Sequence, residues 1–270
     1  MTSQKEKADH FLALHHGDAP LLMPNPWDIG SATILASLGY QALATTSSGH
    51  AATLGRLDGS VTFDEALEHA ADIVGSGDLP VSADLENGFA DEPDGVAATI
   101  SRAVDAGLAG CSVEDYSREH GLYAARLAAE RVAAAADAAH RGDVHLVLTA
   151  RAENLIRGNP DLADTIARLQ AFQEAGADVL FAPGLAKLED IRQVVASIDR
   201  PLSVLALPNA PTVAELADAG VKRISVGGAF LYVAVAAMAE AARELLEEGT
   251  YRYWSMAAAG SAVARAAFAD

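Results

Sequence analysis

The sequence predicts a parallel α/β protein closed as a (β/α)8 barrel of the TIM type, and three observations predict it. Short β-branched or apolar runs recur eight times, beginning near Leu21, Gln41, Leu79, Leu108, His145, Ala177, Pro201 and Val221. Between them lie Ala-rich segments with apolar residues at helical spacing, many of them closing on glycine. The 270 residues match the size of eight such units, so one barrel domain is expected over 1–270, with a helical extension at about 250–270. An open doubly wound sheet is the alternative arrangement.

Taken in order, the first strand, "LLMPN", ends in "PWD" with Asn25 and Asp28, and "SATILASLG" follows as a helix. The second, "QALATT", runs into "SSGH". "TFDE" at 62–65 has capping-box spacing, in which the Thr62 hydroxyl and Glu65 carboxylate satisfy free amides, so it starts a helix and is not a site. The third strand lies in "LPVSADLENG", the fourth in "LAGCSVED" and the fifth in "HLVLTARAEN". They are separated by the helical patterns "VAATISRAVDAG" and "RLAAERVAAAADAAHRG". Strands six, seven and eight end in "APG", "LPN" and "VGG" after "DLADTIARLQAFQEAG", "KLEDIRQVVASI" and "TVAELADAG". The tail "YRYWSMAAAGSAVARAAFAD" exceeds what a barrel needs, and its aromatics Tyr251, Tyr253, Trp254 and Phe268 require burial on the barrel or on a neighbouring subunit.

Composition narrows the function. With 19 basic against 37 acidic residues the net charge is −18, which disfavours nucleic acid and anionic membranes as partners and favours a small molecule. Charges interrupt every apolar stretch before it could span a bilayer, and the N-terminus lacks the apolar core of a signal peptide. A cytoplasmic location is expected. The single cysteine, Cys111, excludes an intramolecular disulfide and a multi-Cys zinc site and reads as a buried core residue. His15, His16, His50 and His120 show no ligand spacing with the acids and read as surface or loop residues.

Barrel active sites form at the C-terminal ends of the strands, so what each strand delivers there matters most. Strand three delivers Asp84 and Glu86, strand four Glu114 and Asp115, and strand five Arg151, Glu153 and Asn154; the last three strands deliver no ionisable group. Asp84 and Glu86 are two apart, so on an extended backbone both point the same way. Several carboxylates at one mouth repel unless protonated or bridged by a cation, and an all-oxygen set suits Mg²⁺, with Mn²⁺ as the alternative ion. Asp115 and Glu153 serve equally well behind the site or at helix starts. Arg151 suits a substrate carboxylate or phosphate, or pairs with Glu153 or Glu114. Thr45 to Gly49, "TTSSG", offers hydroxyls and amides as an anion cradle, and Gly227–Gly228 is a weaker phosphate-binding candidate.

In their order along the chain, "NPWDIGSATILASLGYQALATTSSG", "LGRLDG", "LPVSADLENGF", "CSVED" and "TARAEN" resemble the isocitrate lyase and phosphoenolpyruvate mutase superfamily. The resemblance runs from Leu22 to about Gly228. It implies a barrel that assembles as a dimer or tetramer by exchange of a C-terminal helix, which would give the aromatic tail its burial site. It implies Mg²⁺ held directly by Asp84 and through water by Asp58, Glu86 and Glu114. Thr46, Ser47 and Ser48 would grip the substrate carboxylate, Arg151 would bind substrate and steady negative charge, and Asp58, Glu114 and Arg151 would carry the catalytic roles. The implied chemistry passes through an enolate of an α-keto acid.

The departures are informative. The segment after strand four, "VEDYSREHGLYAARLAAERV", lacks the "KKCGH"-type cysteine loop of the lyases and the Lys- and Asn-rich gating loop of the mutase, and Ala90 stands where many members have a glycine. The reading is therefore a Mg²⁺-dependent C–C lyase of an α-keto acid or related carboxylic acid, such as an oxaloacetate-type decarboxylase. The alternatives are a C–P bond enzyme, a methylisocitrate lyase-like enzyme with another proton donor, and a non-catalytic keto-acid-binding protein.

Overall fold

The computed structural model describes residues 2–269. Its elements follow in chain order: α1 (Gln4–Leu14), β1 (Leu21–Met23), α2 (Ile29–Ser37), β2 (Leu43–Ala44), α3 (Ser47–Thr53), α4 (Phe63–Gly75), β3 (Val81–Asp84), α5 (Pro93–Asp105) and β4 (Gly110–Glu114). A small hairpin, β5 (Tyr116–Ser117) and β6 (Gly121–Leu122), precedes α6 (Ala125–Ala139), β7 (Val147–Arg151), α7 (Leu162–Glu174), β8 (Val179–Phe181) and α8 (Leu188–Val195). The chain ends with β9 (Leu202–Leu205), α9 (Val213–Asp218), β10 (Arg223–Ser225), α10 (Ala229–Arg243), a π-helical turn (Glu244–Glu248) and α11 (Trp254–Phe268).

Eight strands pair in the order β1-β10-β9-β8-β7-β4-β3-β2, all parallel. The remaining seam joins β1 to β2. There the Ala44 amide donates to the Pro24 carbonyl at 3.0 Å. The buried Asn25 side chain donates to the Ala44 and Thr45 carbonyls and accepts from the Val226 and Gly227 amides, tying the ends of β1, β2 and β10 together. The sheet is a (β/α)8 barrel, and the open alternative is excluded. The Thr62 capping box forms as the sequence predicts.

Alternation along the strands separates two environments. Cys111, Val113, Leu148, Ala150, Val204 and Ile224 belong to the large core between sheet and helices, and burial pushes the Cys111 thiol up and out of the reactive range. The intervening positions face the barrel interior. At its N-terminal end Phe11 of α1 packs with Leu21, Met23, Val147 and Val179 as an apolar plug. This close approach requires a glycine at 110, where a Cβ would lie 2.6 Å from Phe11 Cε1 and 2.8 Å from the Val147 carbonyl.

His15 departs from its expected surface position. It is fully buried, its Nδ1 donates to the Phe11 carbonyl at 2.8 Å, and its ring packs edge-on against Phe11. His16 is exposed as expected. The aromatic tail is not buried on its own barrel either. Helix α11 packs against α2, but Tyr251, Trp254 and Phe268 stay exposed, and α10 buries Leu231 while leaving Tyr232, Val233 and Met238 in solvent. Among the described residues no helix is long and apolar enough to cross a membrane.

Candidate active site

A cavity of about 190 Å³ opens at the C-terminal ends of the strands. Thr46, Ser47, Ser48, Asp58, Asp84 and Arg151 all line it, so six residues expected from sequence do meet at one place. A smaller cavity of about 60 Å³ holds Glu86 and Glu114 and shares Ser47, Asp58 and Arg151 with the first.

Arg151, at the end of β7, is the hub. It pairs with Asp84 at 3.0 Å, Glu114 at 3.1 Å and Glu153 at 2.7 Å. Glu153 follows β7 itself, Glu114 ends the neighbouring β4 and Asp84 ends β3 one strand further, so residues far apart in sequence converge with a local one. Arg157, in the turn after β7, adds a second guanidinium: it pairs with Glu114 at 3.4 Å and Glu153 at 3.0 Å and lies over the Tyr116 ring at 3.9 Å. Asp115 points away from the cavity. It binds Arg168 Nη1 at 2.9 Å and accepts from the Glu153 amide at 2.8 Å, so it supports the site from behind.

Burial governs the acids' charge. It raises Glu86 to about 7, helped by neighbouring Asp84 and Asp58. It also pushes Glu114 well up against the opposing pull of Arg151, and raises Asp115 to about 6 against its hydrogen bond from the Glu153 amide. Asp58 Oδ1 and Glu86 Oε1 are buried without any hydrogen-bond partner. A hard cation with its waters would supply those oxygens with partners, so the residues fit Mg²⁺ or Mn²⁺. Asp58, Asp84, Glu86 and Glu114 do not bring ligand atoms to within 4.8 Å of one another as a group. The three residues that do are His140, His145 and Asp178, which lie at the N-terminal end of the barrel, away from this mouth.

Three expectations need correction. The strand ends at Asp84, and Glu86 has φ 48°, a left-handed turn conformation, so the two acids do not share a strand face. Glu86 reaches the site because the turn carries it into the smaller cavity beside Asp58. The "TTSSG" segment offers fewer free amides than an open cradle, though Thr46, Ser47 and Ser48 still line the cavity: Thr46 caps α3, its Oγ1 accepting from the Gly49 amide, while the Ser47 amide donates to Asp84 Oδ2 at 3.3 Å. At strand eight the Val226 and Gly227 amides are spent on Asn25, which removes them from any phosphate cradle. His50 stacks on His69 and His120 pairs with Asp91 at 3.2 Å, both outside the acid cluster. Sequence reasoning missed Arg157, Arg118 beside Asp58, and Arg223, which sits at the beginning of its strand and still reaches the larger cavity.

Residues 11–246 match the family model described as phosphoenolpyruvate phosphomutase. The chain belongs to the isocitrate lyase/phosphoenolpyruvate mutase superfamily. Within it, a 2-methylisocitrate lyase of Halalkalibacterium halodurans is 31% identical, with 74% of this chain and 67% of that protein covered. A solved structure from Burkholderia cenocepacia J2315, whose activity is given only as lyase/mutase, is 44% identical with TM-score 0.93, covering 97% of this chain and 95% of that one. A structure of oxaloacetate acetylhydrolase in complex with oxalate is 27% identical with TM-score 0.82, covering 92% and 89%. Superfamily members are lyases and mutases, so an enzyme of this type is supported.

Proposed function

We propose that this chain is a Mg²⁺-dependent carbon–carbon lyase that cleaves an α-keto acid or related carboxylic acid through an enolate intermediate, in the manner of an oxaloacetate-type decarboxylation. The observation that carries the reading is the joined pair of cavities, one offering Arg151 and the Thr46–Ser48 hydroxyls, the other the orphaned acid oxygens. Asp84 would hold the ion directly, with Asp58, Glu86 and Glu114 acting through water. Bound there, the ion supplies Lewis-acid stabilisation of charge on a keto oxygen.

The chain's own groups do the rest. Thr46, Ser47 and Ser48 line one wall, where their hydroxyls can donate to a carboxylate. Arg151, held in place by three acids, presents a fixed positive charge to the electron pair that moves onto the keto group as carbon dioxide leaves. No base is needed to start that step. A proton must then reach carbon, and Glu86 and Glu114 lie beside the reacting space. Of the tyrosines near the mouth, Tyr116 lines the smaller cavity, whereas Tyr123 is bound to Asp91 and Asn87.

The exposed apolar faces of α10 and α11 support assembly into a dimer or tetramer in which these helices find cover on a neighbouring copy. The chain is read as one domain, working in the cytoplasm on a small carboxylic acid. The test is product analysis on a panel of α-keto acids, 2-hydroxy tricarboxylic acids and phosphonopyruvate with Mg²⁺. Carbon dioxide or a second carboxylic acid from a keto acid supports the reading; inorganic phosphate or phosphoenolpyruvate from phosphonopyruvate alone moves it to C–P chemistry, and binding without turnover of any acid contradicts it.

A further inference from the structure

Barrel interiors of this type are ordinarily packed with branched apolar side chains. This one is not. Between the apolar plug and the mouth, the inward positions include Ser82, Ser112, Thr149, Ser203, Arg223 and Ser225, all buried, with Phe181 as an aromatic among them. Arg223 is 3% exposed, and among the described residues no carboxylate lies within salt-bridge distance of it, the shortest side-chain contact being Nη1 to Thr149 Oγ1 at 3.0 Å. Its Nε and the Oγ of Ser203, its register neighbour on β9, have no hydrogen-bond partner. The contrast with Arg151 is sharp, since three acids pair with that residue and none pairs with this one.

A buried cation without a counter-charge is costly, and the fold keeps it where it borders a cavity. Burial and the nearby Arg151 lower its affinity for its proton, to a pKa of about 10, so it remains charged at neutral pH. From its position we propose that Arg223, with the hydroxyls of Ser82, Ser112 and Ser225 that line the same cavity, forms an anion subsite on its floor that receives a second carboxylate of the substrate. The ligand class is therefore a keto dicarboxylate. Its one end engages the Arg151 and Thr46–Ser48 level and its other end descends into the barrel, and the cavity, at about 190 Å³, has room for more than a bound water. The proposal rests on reading this cavity as a keto-acid site and names the substrate class for it.

The experiment is calorimetric titration, with Mg²⁺ present, of matched pairs of equal chain length: 2-oxoglutarate against 2-oxovalerate, and 3,3-difluorooxaloacetate against 2-oxobutyrate. The wild-type protein is expected to bind at least one dianion about 10-fold or more tighter than its monoanionic partner, as befits a buried charge-assisted hydrogen bond. In Arg223→Met that ratio collapses towards one, Arg223→Lys retains part of it, and the melting temperature of ligand-free Arg223→Met is equal to or above wild type because an unpaired buried charge has been removed. The subsite is overturned if the wild type shows no preference, if the preference survives in Arg223→Met, or if both members of a pair lose affinity equally in a folded variant. Failure of the keto-acid reading looks different, because then neither member of any pair binds the wild type.

Discussion

His15 allows a stability prediction whose size follows from its surroundings. The ring is fully buried between α1 and the barrel plug, so burial holds its pKa down to about 3, with Arg223 pushing the same way. In the unfolded chain it returns to about 6.5. A proton therefore binds the unfolded state first, and the native state loses stability as pH falls below about 6.5. Going from about pH 7.5 to about pH 5, the unfolded state gains roughly 2 kcal/mol from this one group. His15→Asn keeps an amide that can donate to the Phe11 carbonyl and removes the titration. Urea unfolding of both proteins at the two pH values is the assay. The wild type should lose about 2 kcal/mol more than the variant over this interval, whatever offset separates them at neutral pH. An equal loss in both would show that His15 is accessible to protons in the native state and would refute its burial.

Three other outcomes follow from the packing and the site. Asp115→Ala should destabilise by about 2 kcal/mol in chemical denaturation, because Arg168 loses its bond at 2.9 Å and the buried Glu153 amide loses its acceptor, while Asp164 still pairs with Arg168, and a loss below about 1 kcal/mol would contradict this. Gly110→Ala should cost about 1–3 kcal/mol, since the new methyl meets the Val147 carbonyl, which cannot swing aside, and an unchanged melting temperature would show that the plug is loose. Arg151→Lys keeps the charge but cannot fork to Asp84, Glu114 and Glu153 together, so kcat should fall about 100-fold in a folded protein; near wild-type turnover would remove Arg151 from the mechanism.

What the sequence revealed follows the reach of its periodicities. Strand runs and glycine-closed helices are local patterns, and all eight barrel strands lie within the runs that predicted them. Asp84, Glu114 and Arg151 were legible because each is the last residue of its strand, where barrel chemistry collects. Glu86 was placed by an extended-strand argument that fails two residues beyond the strand, where φ turns positive. Arg223 escaped because a search of strand ends overlooks a long side chain that starts lower and climbs the interior. His15 left a usable signal: Ala8, Phe11 and His15 repeat at helical spacing, which continues the buried face of α1 one turn beyond Phe11, its last buried residue. The adjoining His16 and Gly17 made the same stretch look like a loop. The expectation that the C-terminal aromatics are buried on the barrel fails for Tyr251, Trp254 and Phe268, which find no cover on it.

The central claim is that the acid-lined mouth works as a metal-assisted keto-acid site anchored by Asp84. The direct measurement is turnover of the best acid from the panel in Mg²⁺, in EDTA, and in Mg²⁺ with Asp84→Ala. The account predicts activity that disappears in EDTA, returns with added Mg²⁺ or Mn²⁺, and is absent from a folded Asp84→Ala protein. Undiminished turnover in EDTA, or in the Asp84→Ala variant, would contradict it.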